Sequence, residues 1–376
     1  MCKAYLEFFM VEELLDESEL VPYADGKLSC MSPAPGPHEK YQEHIENMPP
    51  ESPMFFGMHP NAEINYRTVQ CNTLFFMLIQ LAPRQSNSGD EDGDAAMNPM
   101  ARSEQLCNDI LDEVREIKFA TDDISRSLND DEKGPYQFVF LQECDYMNGL
   151  VGEMVRSLSE LQLGFKGELT MSEMMERLAD ALFLETIPAS WMKLGFPTTR
   201  SLNSWLGNLK DRCEQLNDWT VEPAIIPKVT DVSRLFNPQS FLTAIKQVTC
   251  QQQTLELNKL QVYTEVTKRD RGGIEQAARE GAFVCGMFLE GARWDSTSSS
   301  LEESKPKEMF CKMPVINCKA GMESTKDDKN MYTCPTYCTP TRRPYYVFPA
   351  QLRTKYPPSK WIMAGVALIL DIGIAM

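Results

Sequence analysis

Histidine is almost missing from this chain of 376 residues: there are three, His38, His44 and His59. Imidazole is the usual proton carrier near neutral pH and the commonest metal ligand, so few sites of either kind can be built. Cations are also scarce, with 37 Lys and Arg against 54 Asp and Glu and a net charge of −17. Phosphate backbones require clustered cations, which excludes nucleic acid as the main partner, and an acidic filament surface would be repelled. The apolar run over Trp361–Leu370 stops at Asp371, short of the roughly 18 residues a membrane span needs, so no membrane anchor is expected. No Gly-x-x-x-x-Gly-Lys-Ser/Thr run is present. The one Gly-Lys step, Gly26-Lys27, has Val21 where the first glycine belongs and Leu28 where the hydroxyl belongs, and neither Gly149–Gly152 nor Gly164–Gly167 has the spacing. That loop cradles phosphates with backbone amides and a lysine, so its absence excludes a stand-alone nucleotide hydrolase of this kind. Met1-Cys2-Lys3-Ala4-Tyr5-Leu6-Glu7 lacks the basic, apolar, small-residue layout of a signal peptide. The twelve cysteines, scattered irregularly from Cys2 to Cys338, are therefore expected as free thiols of a soluble cytosolic or cytoskeletal protein.

What is present is enough for a core, since 43% of residues are hydrophobic. Residues 1–20 place Leu6, Phe9, Met10, Leu14 and Leu15 among acids, which predicts an amphipathic helix. A Pro-rich stretch follows, then a short helix over Glu39–Asn47, stopped by Pro49 and Pro50. A helix is predicted from Asn61 to Ile79 on the spacing of Ile64, Val69, Leu74, Phe75 and Leu78. Residues 84–103, rich in Ser, Gly and acids, are predicted to be a mobile loop. Helix resumes with Leu106, Ile110, Val114 and Ile117, and a clearer one runs from Tyr146 to Leu161. Thr170-Met171-Ser172-Glu173 predicts a capping box with Thr170 as N-cap, opening a helix that ends before Pro188. Further helices are predicted over Asp211–Trp219 and Phe241–Val248, the latter behind Asn237-Pro238. Around Leu260 the period changes from three or four residues to two. Strands are predicted near 260–266, 282–289, 331–337, 345–352 and 361–370, with a turn at Glu290-Gly291. Val366, Leu368 and Leu370 share one face of the last strand, Ala367 and Ile369 the other, which predicts a central strand apolar on both sides. Helices first and strands afterwards is segregated α+β, with a small antiparallel barrel or sandwich at the C-terminal end.

Candidate chemistry is thin. Cys334 and Cys338, with Cys311 and Cys318, make four thiols on paper. On one continuous strand, however, 334 and 338 lie about 13 Å apart, so core packing is expected rather than zinc. His59, in Gly57-Met58-His59-Pro60-Asn61, is expected to orient backbone rather than act as a base. Asp122-Asp123 and Asp130-Asp131 lie in polar stretches and are expected to be solvated faces rather than a catalytic carboxylate pair. Trp191, Trp205, Trp219, Trp294 and Trp361 are either exposed contact anchors or core fillers joining the helical and β parts; the second is expected. No catalytic, cofactor-binding or metal-binding residue is assigned.

Six stretches carry a resemblance. They are Phe56-Gly57-Met58-His59-Pro60-Asn61-Ala62-Glu63-Ile64, Phe236-Asn237-Pro238-Gln239-Ser240-Phe241-Leu242-Thr243-Ala244, Phe283–Asp295 (Phe-Val-Cys-Gly-Met-Phe-Leu-Glu-Gly-Ala-Arg-Trp-Asp), Tyr332-Thr333-Cys334-Pro335-Thr336-Tyr337, Trp361–Leu368 (Trp-Ile-Met-Ala-Gly-Val-Ala-Leu), and the Ile187–Trp191 and Ser201–Leu206 junctions taken together. Taken in chain order they resemble the end of dynein heavy chains, the microtubule motor ATPases. Ala364 before Gly365-Val366-Ala367, with Thr267-Lys268, Arg279–Ala282 and Glu290–Asp295, resembles axonemal chains of the outer-arm β type; Cys338 and the acidic insert depart from the pattern. The resemblance implies three regions: 1–57, the helical end of the sixth AAA+ module; 58–259, the helical part of the dynein C-terminal domain; and 260–376, its β-barrel part. It implies a fragment that begins inside the sixth module. It would pack on the AAA+ ring and modulate a minus-end-directed motor without a catalytic site of its own, ATP and magnesium belonging to the modules outside this chain. Implied partners are the AAA+ ring, the dynein intermediate, light intermediate and light chains of the parent complex, and microtubules indirectly, with no nucleic acid and no membrane. The implied location is the cytoplasm and cytoskeleton, at the axoneme of a cilium or flagellum. Two other expectations compete with this one: a stand-alone interaction protein reusing the domain, and a fragment of a cytoplasmic dynein heavy chain. An unrecognised hydrolase is the weakest reading, since no nucleophile and base can be paired.

Overall fold

The structure is a computed structural model, and it describes residues 34–48, 51–53, 60–81, 99–129, 132–322, 330–342 and 344–373. The helix expected in 1–20, the loop residues 84–98, Gly26-Lys27, His59 and Asp130-Asp131 lie outside the described residues. Residues 99–103 of the expected loop are instead the first turn and more of a helix, which Pro99 opens.

Two helices come first, α1 (His38–Glu46) and α2 (Pro60–Leu81). The helical body follows as α3 (Pro99–Val114), α4 (Thr121–Ser127), α5 (Pro135–Phe165), α6 (Glu173–Phe183), α7 (Ala189–Leu194), α8 (Leu202–Val221) and α9 (Pro238–Gln253). The central helix, α5, starts eleven residues before the clear apolar repeat. Pro135 sits in its first turn, and the Gln137 side chain accepts a hydrogen bond from the Gly134 N–H at 3.2 Å. Its buried stripe of Val139, Phe140, Cys144, Met147, Leu150, Val151, Met154, Leu158 and Leu161 is interrupted by one buried acid, Glu143, which hid the upstream turns. The N-cap of α6 is Ser172, whose Oγ accepts from the Met175 N–H at 3.4 Å, and not Thr170. Either hydroxyl could cap; starting at Glu173 lets Met175, Leu178 and Leu182 face the core. Asn237 caps α9 through its side chain, with Pro238 at the first helical position.

The five tryptophans are buried, none more than 6% exposed, so the contact-anchor reading is set aside. Trp191 and Trp205 stack with centroids 6.1 Å apart, and Trp219 stacks on Phe140 at 5.0 Å. The Trp191 indole N–H donates to Ser157 Oγ at 3.0 Å and that of Trp361 to Thr354 Oγ1 at 2.6 Å.

The C-terminal part is mixed β. One sheet has the order β1 (Thr230–Asp231), β3 (Ala282–Cys285), β8 (Ile316–Met322), β2 (Leu260–Val266). The other has the order β10 (Tyr346–Arg353), β9 (Met331–Tyr337), β11 (Ala367–Ile369), β4 (Phe288–Glu290), β7 (Phe310–Lys312), and β5 (Arg293–Asp295) pairs with β6 (Ser300–Glu302) beside it. Most pairs are antiparallel, but β1 with β3 and β9 with β11 are parallel. The expected single strand 282–289 is two strands. Gly286, at φ 85°, bends the backbone so that it leaves the first sheet as β3 and enters the second as β4. Across the structure the sheets meet where Thr264 Oγ1 accepts from the Gln351 N–H at 2.7 Å and donates to Gln351 O at 2.9 Å. A side chain stands there in place of ladder bonds. Among the described residues the strands form two mixed sheets and a two-stranded one, which contribute to one apolar core, rather than a closed barrel.

Residues 361–370 are not one strand. Pro358 starts a short helix, α10 (Pro358–Met363), which drops Trp361 into the core, and Gly365 at φ 68° turns the backbone into β11. The strand itself is as its pattern predicts. Val366, Leu368 and Leu370 face the main core, and Ala367, Ile369 and Ile372 form a second cluster with Phe288, Phe310 and Tyr337. Helical and β residues share the main core: Phe241 and Ile245 of α9 belong to the same apolar cluster as Val284, Ile316 and Cys318.

Candidate interaction surface

The histidines, cysteines and carboxylate pairs weighed in the sequence lie apart among the described residues. His38 and His44 ride on α1, which buries no residue. Cys334 and Cys318 are buried in different sheets, and among the described residues no group of three or more His, Cys, Asp or Glu is placed to share a metal. Burial pushes the Cys318 thiol up to about 12 and Cys107 and Cys213 up to about 11, so these sulfurs stay protonated and pack as apolar groups. Asp122 and Asp123 occupy the first turn of α4, where carboxylates complement the helix dipole. No helix among the described residues is long and apolar enough to cross a membrane.

The charged groups that the sequence did not reveal are buried and tie elements together. Asp371, 4% exposed, follows β11. It accepts from Thr198 Oγ1 at 2.7 Å, Arg200 Nε at 2.7 Å and the Gly373 N–H at 3.0 Å. Arg212 on α8 lies 3.5 Å from the Phe196 ring centroid and donates to Asn208 Oδ1 at 2.8 Å and Ser233 O at 2.7 Å, its guanidinium lowered to about 10 by burial. Glu143 accepts from the backbone N–H groups of Phe236 (2.5 Å) and Asn237 (2.9 Å). Burial nevertheless raises its carboxyl to about 7. Beside them a cavity of about 640 Å³ is lined by Arg200, Arg234, Arg271, Lys312, Asp231 and Asp371 among others. Arg200 is paired with Asp371, and Arg234 with Asp231, Asp211 and Glu214, so its charges largely answer one another. It lies at the seam between the helical and β parts; the Ser233 hydroxyl and N–H both donate to Asp231 Oδ1, at 2.6 and 3.1 Å, a local turn contact, and burial pushes the Cys285 thiol up to about 12.

The surface that lacks an internal explanation is on α2. Every residue from Arg67 to Leu78 is exposed. Among them are Val69 at 56%, Leu74 at 58%, Phe75 at 63%, Met77 at 52% and Leu78 at 53%, with Phe76 at 39% and, one turn earlier, Ile64 at 41%. Tyr41 and Ile45 on α1, and Met48 just after it, are exposed as well. The sequence placed Ile64, Val69, Leu74, Phe75 and Leu78 on a helix, but the full run Leu74-Phe75-Phe76-Met77-Leu78 makes that stretch of the helix apolar on every side. A helix of that kind is stable only when surrounded. The run itself was the available signal. Half-covering seven such side chains on docking stabilises by roughly 5–10 kcal/mol at the usual transfer values.

A family profile for the C-terminal domain of the dynein heavy chain matches residues 68–370. The sequence is 43% identical over 374 residues to "Dynein beta chain, flagellar outer arm" of Chlamydomonas reinhardtii, covering 99% of this chain and 8% of that one. It is 38% identical over 377 residues to "Dynein beta chain, ciliary" of Tripneustes gratilla and 38% over 373 residues to "Dynein axonemal heavy chain 17" of Homo sapiens, with the same coverage in each case. The chain thus spans about 8% of the length of the curated relatives it matches.

Proposed function

This chain belongs to the dynein heavy-chain family, and we propose that it is the region that packs on the motor's AAA+ ring and tunes how ATP-driven change becomes force. The exposed apolar stretch of α2 carries the reading: its side chains demand a partner, and the heavy-chain residues that precede the domain in its relatives are the nearest covalently tethered one. Residues 1–57 would be the end of the sixth AAA+ module, 58–259 the helical part of the domain and 260–376 its β part. ATP and magnesium would be held by the ring modules, and this region would act by contact, with no nucleotide site of its own.

The relatives' names support placing the protein in the axoneme of a cilium or flagellum, as part of a microtubule motor. Intermediate, light intermediate and light chains would be partners at the level of the complex, and microtubules would be met only through the motor's other parts. The test is paired, on a heavy chain with and without residues 260–376. ATPase rate in solution should persist, while stall force or run length in an optical trap changes. Loss of both in a motor still folded by circular dichroism would make the region integral to the engine. No change in either would remove the tuning role.

A further inference from the structure

We propose that Asn61 is the positioning residue that fixes the direction of α2, and hence of its apolar flank, relative to the β part. Asn61 lies one residue into α2 and is 5% exposed. Its Nδ2 donates to Lys305 O at 2.9 Å and to Glu308 O at 2.8 Å, and its Oδ1 accepts from the Lys307 N–H at 2.9 Å. One planar amide thus fills both donor sites and an acceptor site against the connection between β6 and β7, about 245 positions away in sequence. The connection is shaped to receive it. The Glu308 N–H donates to Lys305 O at 3.0 Å, Glu308 Oε2 accepts from the Lys305 N–H at 3.0 Å, and Lys307 adopts φ 67°, a conformation costly for a residue with a Cβ. That conformation aims the Lys307 N–H at the Asn61 oxygen.

Asn61 makes the hydrogen bonds that reach from α2 to the β part among the described residues; the other side-chain bonds of α2 run within the helix and to Glu51 and Ser52. Beyond Tyr66 the helix touches too little to be steered, since all of Arg67–Leu78 is exposed. A 22-residue helix is about 33 Å long, so a tilt of about 10° at Asn61 moves the far end by roughly 6 Å. Strand β7, which follows the latched connection, pairs with β4, and β4 pairs with β11. Force arriving along α2 therefore enters the second sheet two strands from its centre. That functional meaning rests on the docking reading above, but the latch itself does not. The site selects Asn over its nearest substitutes. Asp would set a carboxylate against two carbonyls, and Ala would take the Asn61 partner from the Lys307 N–H and Glu308 O, while Lys305 O keeps the Glu308 N–H.

The experiment uses the 376-residue chain with Cys2 and Cys30 changed to Ser and a fluorophore on the exposed Cys71. Hydrogen exchange at the Lys307 amide and time-resolved anisotropy of the probe are compared for wild type, Asn61→Ala, Asn61→Asp and a control, Gln70→Ala. In the unsubstituted protein the Lys307 amide should be protected, and Asn61→Ala should speed its exchange at least tenfold and add a segmental motion of the probe. Asn61→Asp should do the same, and Gln70→Ala should change neither. An unprotected Lys307 amide in the wild-type protein overturns the latch without any variant having to fold. So does a folded Asn61→Ala protein whose exchange and anisotropy match wild type. Either result leaves the docking reading intact, because docking is measured separately by burial of α2 in the longer heavy chain.

Discussion

Replacing Asp371 by Ala should loosen the whole protein, because its carboxylate fastens the residue after β11 to the helical part. The pair with Arg200 is largely dry, at 5% and 14% side-chain exposure, and a third donor, Thr198, shares the carboxylate. Removing one partner of such a pair leaves the other charge with reduced solvation, at a cost of about 3–5 kcal/mol, and the lower figure suits the partly open Arg200. With a urea dependence of about 3 kcal/mol per molar, the midpoint should fall by about 1 M. Unfolding followed by tryptophan fluorescence and by far-UV circular dichroism should remain coincident, since helical and β residues share one core. Arg156→Ala supplies the contrast. Its pairs with Glu153 and Glu160 are on the surface, with Arg156 56% exposed, and its loss should cost less than about 1 kcal/mol. A double-mutant cycle with Arg200→Ala should return a coupling of about 2 kcal/mol. An Asp371→Ala protein within about 0.5 kcal/mol of wild type would refute the idea that this buried pair fastens the two parts together.

Glu143 should give stability a pH dependence of definite sign. Its folded carboxyl is raised to about 7, so the folded state binds the extra proton between the ordinary carboxylate range and about 7. This group's contribution is therefore greatest at low pH and is lost as pH rises through that window, and Glu143→Gln should flatten the stability slope measured by urea melts from about pH 5 to 7. Gly281→Ala should be severe, by more than about 3 kcal/mol. The backbone there has φ 73°, and an added Cβ would lie 1.9 Å from Cys318 O; a thermal midpoint unchanged from wild type would contradict the close approach of this turn to β8. Leu368→Ala should cost about 3–5 kcal/mol by the same melts, since the side chain is fully buried in the central strand.

Much of this architecture is legible in the residues, and what is not has specific causes. Periodicity finds α3, α5, α8 and α9 and both faces of β11, because those side chains answer to one core each. It fails where two elements share an apolar run. Phe283–Leu289 alternates like one strand, yet Gly286 breaks it between two sheets, and Trp361–Leu370 is continuous in hydropathy but divided by Gly365. Strands β1, β5, β6 and β7 are two or three residues long, too short to carry a period. Buried charge is hard to read from patterning: nothing local marks Glu143 or Arg212 as different from the charges around them, and Asp371, though it ends an apolar run, does not reveal its Arg200 and Thr198 partners from sequence. For the interaction surface, the run Leu74–Leu78 is plain in sequence, but only the fold reveals that nothing among the described residues covers it.

The central claim is that α2 is covered by the preceding part of the heavy chain, and Cys71 reports on it directly. Its thiol lies in the exposed stretch, and its alkylation rate can be followed by mass spectrometry of the peptide that contains it. The rate should be compared between this protein alone and a longer heavy chain that includes the ring modules. Docking predicts labelling at least tenfold slower in the longer form; equal rates in the two would contradict it.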